Sequence, residues 1–449
     1  GDVSVTVSDG TKFDDDDWVM LRSEATVGTA AQKKGEIVQV SSVAGGNVTF
    51  KDPINDNYSI ADTATLCKLS MISGISVHGI SFYGSDDDTD RHQGMYFYMC
   101  RDLTITKFRA EKTNSRGLRL VSCIDFYVGQ SRFIDILGAG TQYGISVTYS
   151  SQDGLIEGCI GRNTRHVVTY GGGGTDYGIV RRVTTQHCIA HQCRDAGFDS
   201  HAGAEDVSFL NNIVHGSPVD GIIMQCSRGK IIGNTVINSY ATRYGIFAQM
   251  CGSKPMDIQI HDNTVSNVTG VGRGIFVTVS QAGFTDVKAI SLKNNTVNGC
   301  STGIEVYTTE AITIPGVSIG GNEIHECTED GIVLLKCVEF VINGNNIDFL
   351  TTKKGIETDQ CIDGTIVGNS IVGSNTDTSS RGIYIKSGAD ISISANRVKT
   401  SNKGIFLDDA SSNCAVMGNT LRGCTTPFTP GAGLGHIYAT AAADPYNVV

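Results

Sequence analysis

From about residue 68 the chain repeats one phrase: a glycine, an apolar residue, then alternating apolar and small or polar residues. Gly94, Gly117, Gly144, Gly197, Gly221, Gly245, Gly274, Gly303, Gly331, Gly355, Gly382 and Gly404 each open such a run. Successive glycines are 22 to 29 residues apart, except for one gap of 53 that holds two repeats with a glycine missing. A second ladder, asparagine before a β-branched or aliphatic pair, runs through Asn212, Asn234, Asn263, Asn295, Asn322, Asn346, Asn369, Asn396 and Asn419. Alternation with period two predicts strands rather than helix, and a short strand-built repeat predicts a solenoid. The expected fold is all-β, a single-stranded right-handed parallel β-helix with a small N-terminal β cap. Coils of such a helix stack about 4.8 Å apart, so equivalent residues form ladders. Stacked asparagine amides can bond from coil to coil, and asparagine tolerates the left-handed backbone that a tight corner demands. Cys100, Cys123, Cys226, Cys251, Cys337 and Cys361 follow the same strand and are expected to stack as buried thiols.

The ends differ from the repeat. Residues 1–67 carry longer alternating strands, with "AGGN" as a hairpin turn, and read as a cap over the first coil. The β-helix is expected over 68–426 and a C-terminal extension over 427–449. Composition agrees with a folded all-β chain, since 54 Gly stand against only 7 Pro and 40% of residues are hydrophobic. The net charge of −11 comes without a basic run. Nucleic acid is therefore not an expected partner, because phosphate binding needs clustered Lys and Arg. No apolar run reaches the 18 or so residues that a membrane span needs, so no membrane insertion is expected. No signal peptide is visible, although Gly1 is not a natural start. The 14 Cys show no CxxC pair and read as reduced core residues of a protein folded in a reducing cytoplasm.

Side chains of a strand alternate between faces, so each glycine phrase lists an outward pair. Counted this way, the exposed wall carries Tyr96 and Tyr98, Arg119 and Val121, Ser146 and Thr148, Val168 and Tyr170, Asp199 and His201, Ile223 and Gln225, then Phe247 and Gln249. The coil that lacks its glycine places His166 at that station, preceded by Arg165. Arg119, Arg165, His166, Tyr170, Asp199 and His201 thus gather within a few coils, beside the glycine run "YGGGGTDYG" at 170–178, where a bulky ligand could approach the backbone. His187, His191 and His215 read as solvated surface histidines. The spacing of His166, Asp199 and His201 matches no zinc pattern, so no metal or cofactor is expected there. The acidic run "GSDDDTD" at 84–90 is the one place where calcium would fit.

"GFDSH" at 197–201, with the coil "EDVSFLNNIVHGSPVDGIIMQ" at 205–225, resembles the GFD-Pro-His segment of the alginate (mannuronan) epimerases, β-helices related to alginate lyases. The resemblance implies that His201 exchanges a proton at the sugar carbon next to the carboxylate while Asp199 helps to neutralise that carboxylate. Ser200 stands where that family has proline. Ala196 stands where it has tyrosine, a role that Tyr170 could take. The whole chain more broadly resembles the pectin-lyase-like β-helical body of phage tailspike depolymerases. That likeness implies a polysaccharide substrate, a homotrimer, and a virion tail or extracellular location.

A β-elimination needs a cation for the uronate, a base for the adjacent proton and an acid for the leaving oxygen. Arg165 or Arg119 supplies the first, His201 the second, and Tyr170 or His166 the third. Tyr96, Tyr98, Phe247 and Gln225 extend the wall as substrate contacts. The expected function is depolymerisation of an anionic, uronate-containing glycan by a lyase. Four alternatives stay open: an alginate 5-epimerase, a glycoside hydrolase, a teichoic-acid phosphodiesterase and a non-catalytic glycan-binding adhesin. A hydrolase would use Glu305 with Glu357 and Asp359, two coils apart, because glycosidases need paired carboxylates.

Overall fold

The computed structural model describes residues 3–27, 32–84, 92–138, 141–171, 177–237, 243–250, 256–268, 272–279, 287–308, 312–349, 353–373, 378–433 and 435–438. The acidic run suggested for calcium falls almost wholly outside them, as do the glycines at 172–174, Cys251 and the last eleven residues. The fold is all-β, a right-handed parallel β-helix preceded by an antiparallel sheet. The chain forms two compact units, one comprising Gly1–Asn212, Met224–Ser227 and Cys251–Lys254, the other Ile213–Ile223, Arg228–Met250 and Pro255–Val449.

In the first unit, Trp18–Thr26 pairs antiparallel with Lys33–Ala44 and with Thr65–Lys68, and Asn47–Phe50 returns along Lys33–Ala44 after a turn at Gly45 and Gly46. Gly45 sits at φ +62, the left-handed conformation that a tight hairpin needs. Val19, Leu21, Val38, Val40, Val48 and Phe50 fill one face of this sheet. Parallel coils follow. Gln93–Tyr98, Arg116–Val121, Tyr143–Thr148, His166–Tyr170 and Ala196–Ser200 stack in sequence order as one wall.

One buried ionic cluster ties the sheet to the coils of this unit. Arg181 donates to Glu205 at 3.0 Å, to Asp56 at 2.5 Å and to the Gly35 carbonyl at 3.2 Å. Glu36 accepts from the backbone of Asn55 and Asp56 beside it. A buried guanidinium is tolerated only with such partners.

The second unit repeats the pattern with Tyr244–Met250, Arg273–Val279, Thr302–Thr308, Ile332–Leu335, Lys354–Asp359, Arg381–Lys386, Lys403–Leu407 and Thr426–Thr429. Its inward positions are fully buried aliphatics such as Ile275, Ile304, Ile332, Ile356, Ile383 and Ile405. The asparagine ladder is unbroken here. Asn234, Asn263, Asn295, Asn322, Asn345, Asn369 and Asn396 each donate from Nδ2 to the amide oxygen of the next, at 2.8 to 3.0 Å, ending at Asn419. The rung expected at Asn346 is Asn345; Asn346 instead donates to Glu323 on the surface at 2.8 Å. Adjacent asparagines leave the rung ambiguous by one residue. The described cysteines are all free thiols, with Cys100, Cys123, Cys226, Cys337 and Cys361 buried as expected.

Candidate functional site

The glycine phrase has a subtlety that alternation alone does not show. The glycine and the apolar residue after it both face inward: a Cβ at Gly117 or Gly144 would strike Phe133 and the backbone of the next coil, and Leu118 and Ile145 are fully buried. The outward rows are therefore the residue before the glycine and the second residue after it. In the first unit the leading row reads Gln93, Arg116, Tyr143 and His166, and the following row Tyr96, Arg119, Ser146, Thr169 and Asp199.

This register corrects the coil without a glycine. Val167, not His166, occupies the glycine station, since Tyr143 pairs with His166 and Ile145 with Val168. A shift of one residue turns every side chain to the other face. Tyr170, expected on the wall, is fully buried in the core, where its hydroxyl bonds Thr185 Oγ1 and its ring stacks on Phe209 at 5.6 Å. Burial raises its phenol above the usual range. It cannot meet a substrate, and Val168 likewise points inward; Thr169 takes the outward place.

The rest of the central group comes together. Asp199 is buried at the root of the site, where Oδ2 accepts from Thr169 Oγ1 at 3.1 Å and from His201 Nε2 at 2.8 Å. A carboxylate accepts only, so the His201 proton sits on Nε2 and leaves Nδ1 as the atom able to take another. The His201 side chain is 32% exposed, against 2% for Asp199. Burial pushes the His201 imidazole down, but the charge of Asp199 and its hydrogen bond overcome this and lift it above the ordinary histidine range. Burial pushes the Asp199 carboxyl up, yet His201, His166 and Thr169 together bring it below the usual carboxylate range.

His166 lies beneath this pair. Its Nδ1 bonds the Ala196 carbonyl at 2.9 Å, and its Nε2 is 3.7 Å from Asp199 and 3.9 Å from Asp195. Burial lowers its affinity for a proton, so it is neutral at pH 7. With 2% of its side chain exposed, it is a packing and positioning group rather than a partner for substrate. Arg165 stays on the rim, half exposed, with Nε donating to Asp195 at 3.1 Å.

Four residues complete the cluster that strand alternation counted from glycine had missed: Tyr143, Asp195, Thr169 and Arg116. The Tyr143 ring stacks on His166 at 5.4 Å, and the guanidinium carbons of Arg116 and Arg165 each lie 5.9 Å from its centroid. Burial raises its phenol, with Asp199 and Asp195 pushing the same way against the two arginines. Its place just before Gly144, in the row of Arg116 and His166, was the available signal.

The outlying predictions separate. Arg119 sits three coils below Asp199 in the same row, its guanidinium 5.2 Å from the Tyr96 centroid, while Tyr96 and Tyr98 are half exposed. Gln225 follows the coil above Ser200, whose carbonyl accepts its backbone N–H at 2.7 Å. Phe247 belongs to the second unit, stacked on Phe276 at 5.8 Å. The upper acids are each neutralised locally: Glu305 by Arg273, Glu357 by Lys354 at 2.7 Å and Asp359 by Lys386 at 2.7 Å. Among the described residues no group of His, Cys, Asp and Glu could hold a metal, and no helix is long and apolar enough to cross a membrane.

The family model for the right-handed β-helix region matches residues 143–316 and 314–440, and the chain belongs to that family. No curated protein matches it. Among solved structures, the gp49 tailspike of Pseudomonas phage LKA1 is 14% identical, with a TM-score of 0.48 over 93% of this chain and 65% of that one. The gp54 tailspike of Acinetobacter baumannii bacteriophage AP22, solved with a capsular saccharide, is 16% identical, with a TM-score of 0.47 over 94% of this chain and 62% of that one. The A-module of an Azotobacter vinelandii mannuronan C-5 epimerase is 13% identical, with a TM-score of 0.46 over 74% of this chain and 90% of that one. The chain thus spans a little under two thirds of the length of these tailspikes.

Proposed function

We propose that this protein is a carbohydrate-active enzyme that cleaves the C–H bond next to the carboxylate of a uronate-containing polysaccharide, with His201 as the base. The observation that carries the reading is the rim-exposed imidazole held through Nε2 by a buried carboxylate at 2.8 Å. That arrangement fixes the tautomer and raises basicity, which is what a base for a weakly acidic carbon requires. Arg165, with Arg116 and Arg119 on the coils below, supplies positive charge for the uronate, although the molecule as a whole is acidic. Such charge placed in advance stabilises the enolate-like state as it forms. Tyr143 takes the acid role that Tyr170 cannot, because its phenol keeps its proton at neutral pH and lies on the outward row. Proton return to carbon gives epimerisation; loss of the 4-oxygen gives elimination and an unsaturated end. Elimination is the reading preferred here, from the resemblance to depolymerising tailspikes.

Asp195 favours one other reading. It and Asp199 both lie within 3.9 Å of His166 Nε2, close enough to raise hydrolysis by two carboxylates about 5–9.5 Å apart. Asp199, however, is buried and engaged by His201 and Thr169, so it has no path to a sugar. On the same proposal the protein works outside the host on a virion tail, as a homotrimer with no nucleic-acid partner. Light scattering giving a monomer would contradict the trimer. Incubation with uronate polymers, followed by absorbance of unsaturated ends, tests the reaction: the wild type should generate them, and chain shortening without them would mean hydrolysis.

A further inference from the structure

A second cleft lies in the first unit, between the N-terminal sheet and the coils, with a volume of about 470 Å³. That is in the range of small-ligand sites, roughly 300–1,000 Å³. It is lined by Trp18 of the sheet, Asp52 and Asn55 of the loop that follows it, and Asp125, Gln152 and the Asp153–Arg182 pair of the coils.

The polar groups here include both acceptors and N–H donors, and the excess charge is negative. Arg182 is spent on Asp153, which it grips with two bonds of 2.6 and 2.8 Å. Asp52 and Asp125 carry no hydrogen bond or ion pair among the described residues. The Gln152 amide donates one N–H to the Ile37 carbonyl at 2.8 Å, and the Asn55 amide donates one to Glu36 at 2.9 Å, so each keeps its oxygen and a second N–H for a ligand. The Trp18 indole N–H is buried without a hydrogen bond.

We infer that this cleft binds a neutral saccharide, whose hydroxyls donate to Asp52, Asp125 and the two amide oxygens and accept from the second amide N–H of Gln152 and of Asn55. A uronate is excluded by charge, since two unpaired carboxylates face the ligand. Burial, with Asp153 and Asp102 nearby, already lifts the Asp125 carboxyl above its usual range, a sign that more negative charge is unwelcome. The site is therefore complementary to the arginine-lined wall, and would hold neutral sugars of the same polymer or of the surface that bears it.

Trp18 is the only tryptophan in the chain, so its fluorescence reports on this cleft alone. The full-length protein should be titrated to millimolar concentrations with galactose, glucose, rhamnose, N-acetylglucosamine and mannuronate trimer. At least one neutral sugar should shift the emission saturably while mannuronate does not. Paired replacement Asp52→Ala with Asp125→Ala should weaken that binding about tenfold or more, the effect of losing charged hydrogen-bond acceptors. His201→Ala should leave it unchanged, which separates this site from the proposed catalytic one. No shift with any neutral sugar, an equal shift with mannuronate, or binding that survives the double replacement would each overturn the inference.

Discussion

His201 and Asp199 work as a pair because one is buried and the other is not. The buried carboxylate keeps its charge only through its partners, and it returns the favour by raising the imidazole. As a base His201 must be unprotonated, so the rate should climb with pH through its raised pKa, above the ordinary value near 6.5. Asp199→Asn removes the charge, and should move that limb to lower pH while lowering the plateau rate. A pH–rate profile of the variant that overlays the wild type would remove Asp199 from the mechanism. The pairing also affects stability. The His201 contribution is complete below the ordinary histidine pKa and is lost as pH rises through the raised one. The Asp199 contribution is complete above the ordinary aspartate pKa and is lost as pH falls through the lowered one. The D-x-H pair was legible in the sequence because both residues fall on outward positions of an intact glycine phrase. Tyr170 was misread for the opposite reason: with no glycine in its coil the count began one residue early. Tyr170→Phe should therefore leave activity within about twofold and reduce stability by about 1 kcal/mol, the net value of its bond to Thr185. Loss of activity in this variant, with unfolding unchanged, would return Tyr170 to the site.

At the scale of the coil, stability depends on satisfying polar groups that the repeat buries. Asn322 Oδ1 accepts both the backbone N–H and the side-chain amide of Asn295, and its own amide donates to Leu292, Gly320 and Asn345. Asn322→Leu strands several of these at once and should cost roughly 2–4 kcal/mol, at about 1–3 kcal/mol for each buried group left unsatisfied. Denaturant unfolding would show it, and a loss under 1 kcal/mol would mean that water enters the corner. The repeating asparagines made this ladder readable, and only the choice between Asn345 and Asn346 needed coordinates. The Arg181 cluster was not readable at all. Its partners Asp56 and Glu205 are 125 and 24 residues away, with no periodicity to link them. Arg181→Met leaves Asp56 and Glu205 buried without their cation, and should cost about 3–5 kcal/mol. Melting within a degree or two of wild type would show that these carboxylates take up protons freely instead.

For the whole molecule, the period of the glycine phrase was enough to predict strands and solenoid, because a fold made of one repeated unit writes its geometry many times over, while the N-terminal β cap was read from the longer strands and hairpin turn of residues 1–67. The chemistry is written once, on a few outward positions, and there a single missing glycine altered the reading. Tyr143 came into view only when the two outward rows were fixed by pairing, and Asp195, which lies in neither row, only through its contacts with Arg165 and His166. The described cysteines are all free, so thiol titration in denaturant should find most of the 14 reduced; extensive oxidation would contradict folding in a reducing compartment. On the proposed function, His201 breaks a C–H bond next to a sugar carboxylate. The most direct measurement incubates uronate polymers with wild type and His201→Ala in D₂O, reading unsaturated ends by absorbance and deuterium at C5 by NMR. The wild type should give one of these signals, and His201→Ala should lose it by about 100-fold or more, the scale of a general base. Neither signal from the wild type, or an undiminished one from His201→Ala, would rule out His201 as the base.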